Sequence, residues 1–121
     1  MASILIVDDE PENLELMEGV LAPTGHTIRM AGGGRQALQA VQQEPPDLIL
    51  LDLMMPGMSG FEVCEMLRAN EATARIPIIV VTALDQLGVK ERTLTLGVDD
   101  YLTKPIQPAE VVARVQAMMQ V

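Results

Sequence analysis

Aromatic side chains are nearly missing from this chain. It has no tryptophan, and Phe61 and Tyr101 are its only phenylalanine and tyrosine. Rings therefore cannot build the core. Since 49% of the 121 residues are hydrophobic, the core must be aliphatic, with nine methionines as adaptable filler. Basic residues are scarce as well, 8 Lys and Arg against 17 Asp and Glu, leaving a net charge of −9. That balance argues against direct nucleic-acid binding, which needs a basic footprint. It suits a cationic ligand or a basic partner surface, although the run Glu10, Glu12, Glu15 and Glu18 along one early helix also fits a merely solvated face. The single cysteine, Cys64, cannot form an internal disulfide, and a Ser-His-Asp hydrolase would have to use His26, the only histidine, which nothing places beside a candidate nucleophile. There is no signal peptide and no apolar run long enough for a membrane-spanning helix, so the expected location is the cytoplasm, with no membrane contact. At this length a single domain, residues 1–121, can bury a core without disulfide or metal staples.

The apolar residues that are present come in short blocks. Leu48-Ile49-Leu50-Leu51 lies between Pro45-Pro46 and Pro56-Gly57, too short for a good helix and continuous enough for a strand buried on both faces. It ends in Asp52. An acidic residue is costly in a core but natural at the carboxyl edge of a parallel sheet, where open α/β folds place their ligand crevices. From this stretch alone Asp52 either starts a loop or lines such a crevice. Ile4-Leu5-Ile6-Val7 is a second block and runs into Asp8-Asp9-Glu10. Ile78-Ile79-Val80-Val81 is a third and ends in Thr82, and a short strand at about Asp100 to Thr103 leads into Lys104-Pro105. Each would deliver a polar or charged side chain to one sheet edge.

Between these blocks the pattern is helical. One helix runs from about Pro11, where proline suits the first turn, to Leu21, and is stopped by Pro23 and Gly25. A more polar strand, His26 to Ala31, reads as lying near an edge. Gly32-Gly33-Gly34 opens a helix carrying Ala37, Leu38 and Val41. Ser59-Gly60-Phe61-Glu62 has the form of a capping box and opens a helix that turns Phe61, Cys64 and Leu67 toward the sheet. Cys64 accordingly reads as a small core residue, and His26 as a surface one. A helix over Leu84 to Leu96 is weakened by Gly88, Val89, Thr93 and Thr95, with Gly97 as its cap. A last helix starts near Pro108 and carries Val111, Val112, Val115 and Met118. Five strands alternating with five helices predict an α/β fold, a parallel sheet covered on both faces through right-handed crossovers.

If Asp8, Asp9 and Asp52 approach one another, their like charges need compensation, and a hard divalent cation such as Mg²⁺ supplies it while leaving room for phosphate oxygens. Lys104 adds an ammonium and Thr82 a hydroxyl. A carboxylate nucleophile with these neighbours matches what phosphoryl transfer requires. Rival chemistries fit less well. A haloacid-dehalogenase-type phosphatase needs a second aspartate two positions after the nucleophile, and Met54 stands there. A flavin phosphate would be repelled by Asp8-Asp9-Glu10. No Walker A loop exists, since Gly32-Gly33-Gly34 lacks the following Lys and Ser/Thr.

Taken together, Ile4–Glu10, Asp47–Pro56, Val80–Ala83 and Gly97–Pro105 resemble the receiver domains of two-component response regulators, and the resemblance covers essentially the whole chain. It implies a flavodoxin-like three-layer sandwich with a doubly wound five-stranded parallel sheet in the order 2-1-3-4-5. It further implies that Asp52 accepts a phosphoryl group from a sensor histidine kinase or phosphotransfer protein. On this pattern Asp8 and Asp9 hold Mg²⁺ with the Asp52 carboxylate and the Met54 backbone carbonyl. Lys104 pairs with the phosphoryl oxygens, and Lys104-Pro105 is a cis bond. Thr82 and Tyr101 form a switch pair that relays phosphorylation to the face of the fourth helix, fifth strand and last helix. Such a unit phosphorylates and dephosphorylates itself and has no separate substrate, so it is not an enzyme in the usual sense. A downstream output domain or protein, and a homodimer through that same face, are the further partners the resemblance implies. The segment Met54–Glu62 looks like receivers fused to cyclic-di-GMP enzymes. Two alternatives stand beside this reading: a phosphate-independent interaction module of the same fold, and a small Mg²⁺-dependent phosphatase.

Overall fold

The computed structural model describes residues 2–83 and 95–119. Five strands, β1 (Ser3–Val7), β2 (Thr27–Ala31), β3 (Leu48–Asp52), β4 (Ile78–Thr82) and β5 (Asp100–Thr103), form one sheet in the order β2-β1-β3-β4-β5. Every neighbouring pair is parallel. The described helices are α1 (Pro11–Leu21), α2 (Gly34–Gln43), α3 (Gly60–Ala69) and a C-terminal helix (Pro108–Met119). The expected helix over Leu84 to Leu96 falls largely outside the described residues.

Strand parity divides the interior in two. Because side chains alternate across a strand, Leu5 and Val7 of β1, Ile49 and Leu51 of β3 and Ile78 and Val80 of β4 pack with Ala37, Val41, Phe61, Cys64 and Leu67 from α2 and α3. Ile4 and Ile6, Leu48 and Leu50, and Ile79 and Val81 face the other way, against Met17 and Leu21 of α1 and Val111 and Val115 of the C-terminal helix. Strands β3 and β4 are buried along their whole length. Each fully buried Leu or Ile contributes about 1.5–3 kcal/mol, so this aliphatic wall carries much of the stability.

The ends of the elements are set by local chemistry. Pro11 opens α1, and a short 3₁₀ turn over Ala22–Thr24 closes it against Gly25, whose φ of 81° is in the left-handed region. The Ser59 and Glu62 capping box forms at the start of α3, with Glu62 N–H donating to Ser59 Oγ at 3.3 Å. Arg29 of β2 reaches the far end of α2 and donates to the carbonyls of Ala40 and Glu44 at 2.8 and 2.6 Å, joining the Glu44 N–H that already bonds Ala40. His26 is partly exposed. It lies just before β2, its Nδ1 accepting from Ala2 N–H at 3.3 Å. This places it at the amino edge of the sheet, away from the acidic cluster.

Candidate functional site

Four strand ends build the site. β1 and β3 are neighbours in register Val7 to Leu51, so Asp8 and Asp52 emerge side by side just past the apolar wall. β4 pairs Val81 with Asp52, which sets Thr82 one residue further along the same edge. β5 brings Lys104 round, and Lys104 N–H donates to the Thr82 carbonyl at 2.8 Å. Lys104-Pro105 is cis.

The side chains converge as the sequence anticipates. Carboxylate oxygens of Asp8, Asp9 and Asp52 all lie within 4.8 Å of one another. Lys104 Nζ donates to Asp8 Oδ2 at 2.9 Å and to Asp52 Oδ2 at 3.3 Å. Asp8 and Asp52 are buried, at 5% exposure each, while Asp9 is half-buried. Backbone donors hold the other carboxylate oxygens: Glu10 N–H bonds Asp8 Oδ1 at 2.9 Å and Met54 N–H bonds Asp52 Oδ1 at 3.2 Å.

Burial pushes the Asp52 carboxyl above its usual range, the Lys104 charge and the Met54 amide pull it back, and the neighbouring Asp8 raises it again. Burial likewise opposes the Lys104 ammonium, but its bond to Asp8 and the charge of Asp52 outweigh this and raise its pKa. Three aspartates facing one ammonium leave two negative charges uncompensated. That excess, presented by hard oxygen donors on a partly open edge, fits a divalent cation of the Mg²⁺ type.

Thr82 is fully buried at the rim of the cluster. Tyr101, paired with Val80 in β5, is half-buried against the core of α2 and α3. The Met54 side chain points out, 57% exposed, two residues beyond Asp52. One neighbour escaped the sequence reading. Gly60, first residue of α3, lies against the backbone of Asp52 and Leu53, its N–H donating to the Leu53 carbonyl at 2.9 Å. The available signal was a glycine inside a helix start where a better helix former would serve.

Comparison with known proteins agrees with this geometry. A family model described as the response regulator receiver domain matches residues 4–116. The DNA-binding dual master transcriptional regulator RpaA of Synechocystis is 42% identical over 120 residues, covering 99% of this chain and 50% of that protein. The chain thus spans about half the length of this curated relative. The structure of a putative response regulator from Chloroflexus aurantiacus superposes with a TM-score of 0.93 at 34% identity, over 99% of this chain and 98% of the other. The receiver domain of a Pseudomonas aeruginosa sensor histidine kinase, solved with a magnesium ion coordinated in its active-site cleft, matches with a TM-score of 0.90 at 32% identity, over 99% of this chain and 98% of that one. Receiver domains bind Mg²⁺ at an acidic pocket, and a pocket of three aspartates is present here.

Proposed function

The chain belongs to the response regulator receiver family, and we propose that within it Asp52 accepts a phosphoryl group from the phosphohistidine of a sensor histidine kinase or phosphotransfer protein. The observation that carries this reading is the position of Lys104 Nζ, within hydrogen-bond reach of both Asp8 and Asp52 at the mouth of the aspartate cluster. An Asp52 oxygen attacks phosphorus, the imidazole nitrogen leaves with its electron pair, and the product is an acyl phosphate. Lys104 then exchanges a carboxylate partner for phosphoryl oxygens, and Thr82 supplies a hydroxyl donor from the adjoining strand.

Asp8, Asp9 and Asp52, with the Met54 carbonyl, are the groups we assign to Mg²⁺. When bound, the ion neutralises charge on the transferring oxygens. The unit acts on itself and on its donor, with no separate substrate. We place it in the cytoplasm. Among the described residues no helix is long and apolar enough to cross a membrane. The signal leaves through Tyr101 on β5 and the neighbouring C-terminal helix, together with the 84–96 segment. We assign that face to a downstream output domain or protein, or to a second copy of the chain. A metabolite phosphatase is disfavoured by the exposed Met54, which cannot carry a proton where that chemistry needs an acid.

Intact mass after incubation with acetyl phosphate and Mg²⁺, wild type beside Asp52→Asn, tests the reading. The expected result is one phosphoryl adduct that requires Mg²⁺ and vanishes in the variant. No adduct, with Mg²⁺ still bound, would replace it with a phosphate-independent interaction module.

A further inference from the structure

We propose that Gly60 is a positioning residue for the phosphoryl-acceptor site: its missing side chain is the space into which the Asp52–Leu53 backbone fits. This rests on the assignment of Asp52 as acceptor. A Cβ built on Gly60 would fall on the Asp52 carbonyl oxygen, 2.7 Å from Leu53 Cα and 2.9 Å from the Asp52 carbonyl carbon. All three are backbone atoms, so no side-chain rotation relieves the clash. Carbon atoms at rest sit about 3.5–4.0 Å apart, and one chain must retreat by roughly an ångström.

The need is spatial and not conformational. The positive-φ glycines among the described residues are Gly25, Gly57 and Gly97, so the backbone at Gly60 is one any L-residue adopts. Both sides of the contact are held. On the α3 side, the capping box fixes Ser59 and Glu62, with Ser59 N–H donating to Glu62 Oε1 at 3.4 Å and Glu62 N–H to Ser59 Oγ at 3.3 Å. On the strand side, Gly60 N–H donates to the Leu53 carbonyl at 2.9 Å, and Leu53 itself is fully buried. The next amide, Met54 N–H, is the one that holds Asp52 Oδ1 at 3.2 Å. A retreat at Asp52–Leu53 therefore moves the acceptor carboxylate and its amide donor together, relative to Asp8 and Lys104.

Local propensity makes the opposite forecast, which gives the test its sign. Alanine is the better helix former, so if Gly60 mattered only as part of α3, Gly60→Ala would be neutral or stabilising. The experiment compares wild type, Gly60→Ala and two controls. Gly19→Ala makes the same substitution in α1, where nothing lies within 4 Å of the added carbon. Val115→Ala removes buried volume from the other core. Four quantities are read: folding stability, phosphorylation rate with acetyl phosphate, Mg²⁺ affinity by calorimetry, and backbone amide shifts by NMR.

In Gly60→Ala, phosphorylation rate and Mg²⁺ affinity should each fall about tenfold or more, since an ångström of misplacement is costly at a reacting centre. The amide shifts should concentrate at residues 52–55. Gly19→Ala should keep wild-type rate and affinity, and Val115→Ala should keep both per folded molecule despite its lower stability. Wild-type rate and affinity in Gly60→Ala would overturn the proposal, as would losses no larger than those of Val115→Ala. If Gly60→Ala is unfolded at room temperature, the comparison moves to the cold with trimethylamine N-oxide, which strengthens burial. A variant that stays unfolded there gives Gly60 a purely architectural role and also overturns it. If wild type itself takes no phosphoryl group, the acceptor assignment has failed instead, and the amide shifts and Mg²⁺ affinity still report whether Gly60 positions the aspartates.

Discussion

Cys64 sits on the inner face of α3 with no solvent exposure, between residues that pack on β3 and β4. Burial pushes its thiol up to about 11, a shift the Arg68 charge opposes and Glu65 reinforces. Iodoacetamide at mildly alkaline pH should leave it unmodified until denaturant is added. The same shift makes stability depend on pH. Below the unfolded thiol's pKa both states hold the proton. As pH climbs toward 11 the unfolded chain releases it first, so the folded state loses roughly 2–3 kcal/mol across that window. Urea titrations at several alkaline pH values should show this fall in wild type and a shallower one in Cys64→Ala. Met54 is the converse case, an exposed apolar side chain beside the acceptor. On the proposed reading of Asp52 as acceptor, a bulky apolar side chain two residues past it would hinder the water that attacks the acyl phosphate. Met54→Asn, with a side chain that can hydrogen-bond that water, should shorten the phosphorylated lifetime severalfold when adduct decay is followed by mass. An unchanged decay rate would remove Met54 from the account.

Among elements, Arg68 makes the connection with the most carbonyl acceptors. From the last turn of α3 it donates to the carbonyls of Ala74 and Ile76 at 3.0 and 2.7 Å, tying down the loop that leads into β4. It also donates to the Gly97 carbonyl at 3.2 and 2.9 Å and pairs with Asp99 at 3.2 Å. Asp99 in turn accepts from Ile78 N–H at 2.8 Å. One guanidinium thus joins α3, the start of β4 and the approach to β5, at the sheet edge opposite the aspartates. Arg68→Ala should cost roughly 2–4 kcal/mol, measured as a lowered urea midpoint with unchanged slope. Arg68→Lys should recover only part of it, because a single ammonium cannot replace the planar fork.

Signals that act over a few residues were readable before any coordinates. Leu48–Leu51 carried enough apolar density to mark a strand buried on both faces, Ser59 and Glu62 marked the start of α3, and Asp8, Asp9, Asp52, Thr82 and Lys104 marked the carboxyl edge once the strands were aligned. What stayed hidden joins residues far apart in sequence. Arg68 and Gly97 are 29 positions apart, and nothing near either announces the pairing. Gly60 is needed by the backbone of Asp52 and Leu53, a fit that exists only after α3 docks. The side-chain period could not place His26 either, since its ring accepts from the Ala2 amide, 24 positions away.

For the whole molecule the decisive quantity is the concentration of negative charge. The chain carries −9 overall, and three of its aspartates share one cluster. A cation that binds there stabilises the folded state by mass action, about 2.7 kcal/mol at a hundredfold excess over Kd. Millimolar MgCl₂ should therefore raise Tm well beyond NaCl at equal ionic strength, which only screens. Asp9→Ala should reduce the response to Mg²⁺ to the level of the NaCl control. Equal effects of the two salts would show that the gain is general screening and not a site.

The scarcity of rings has an optical consequence. With no tryptophan and a single tyrosine, the ultraviolet emission of this protein comes from one place, the ring of Tyr101 half-buried on β5. Any event at the aspartate edge that reorients that ring or changes its exposure is visible in unlabelled protein, with no second tyrosine or tryptophan to mask it. The residue assigned to carry the signal outward is also the one that lets it be watched in real time.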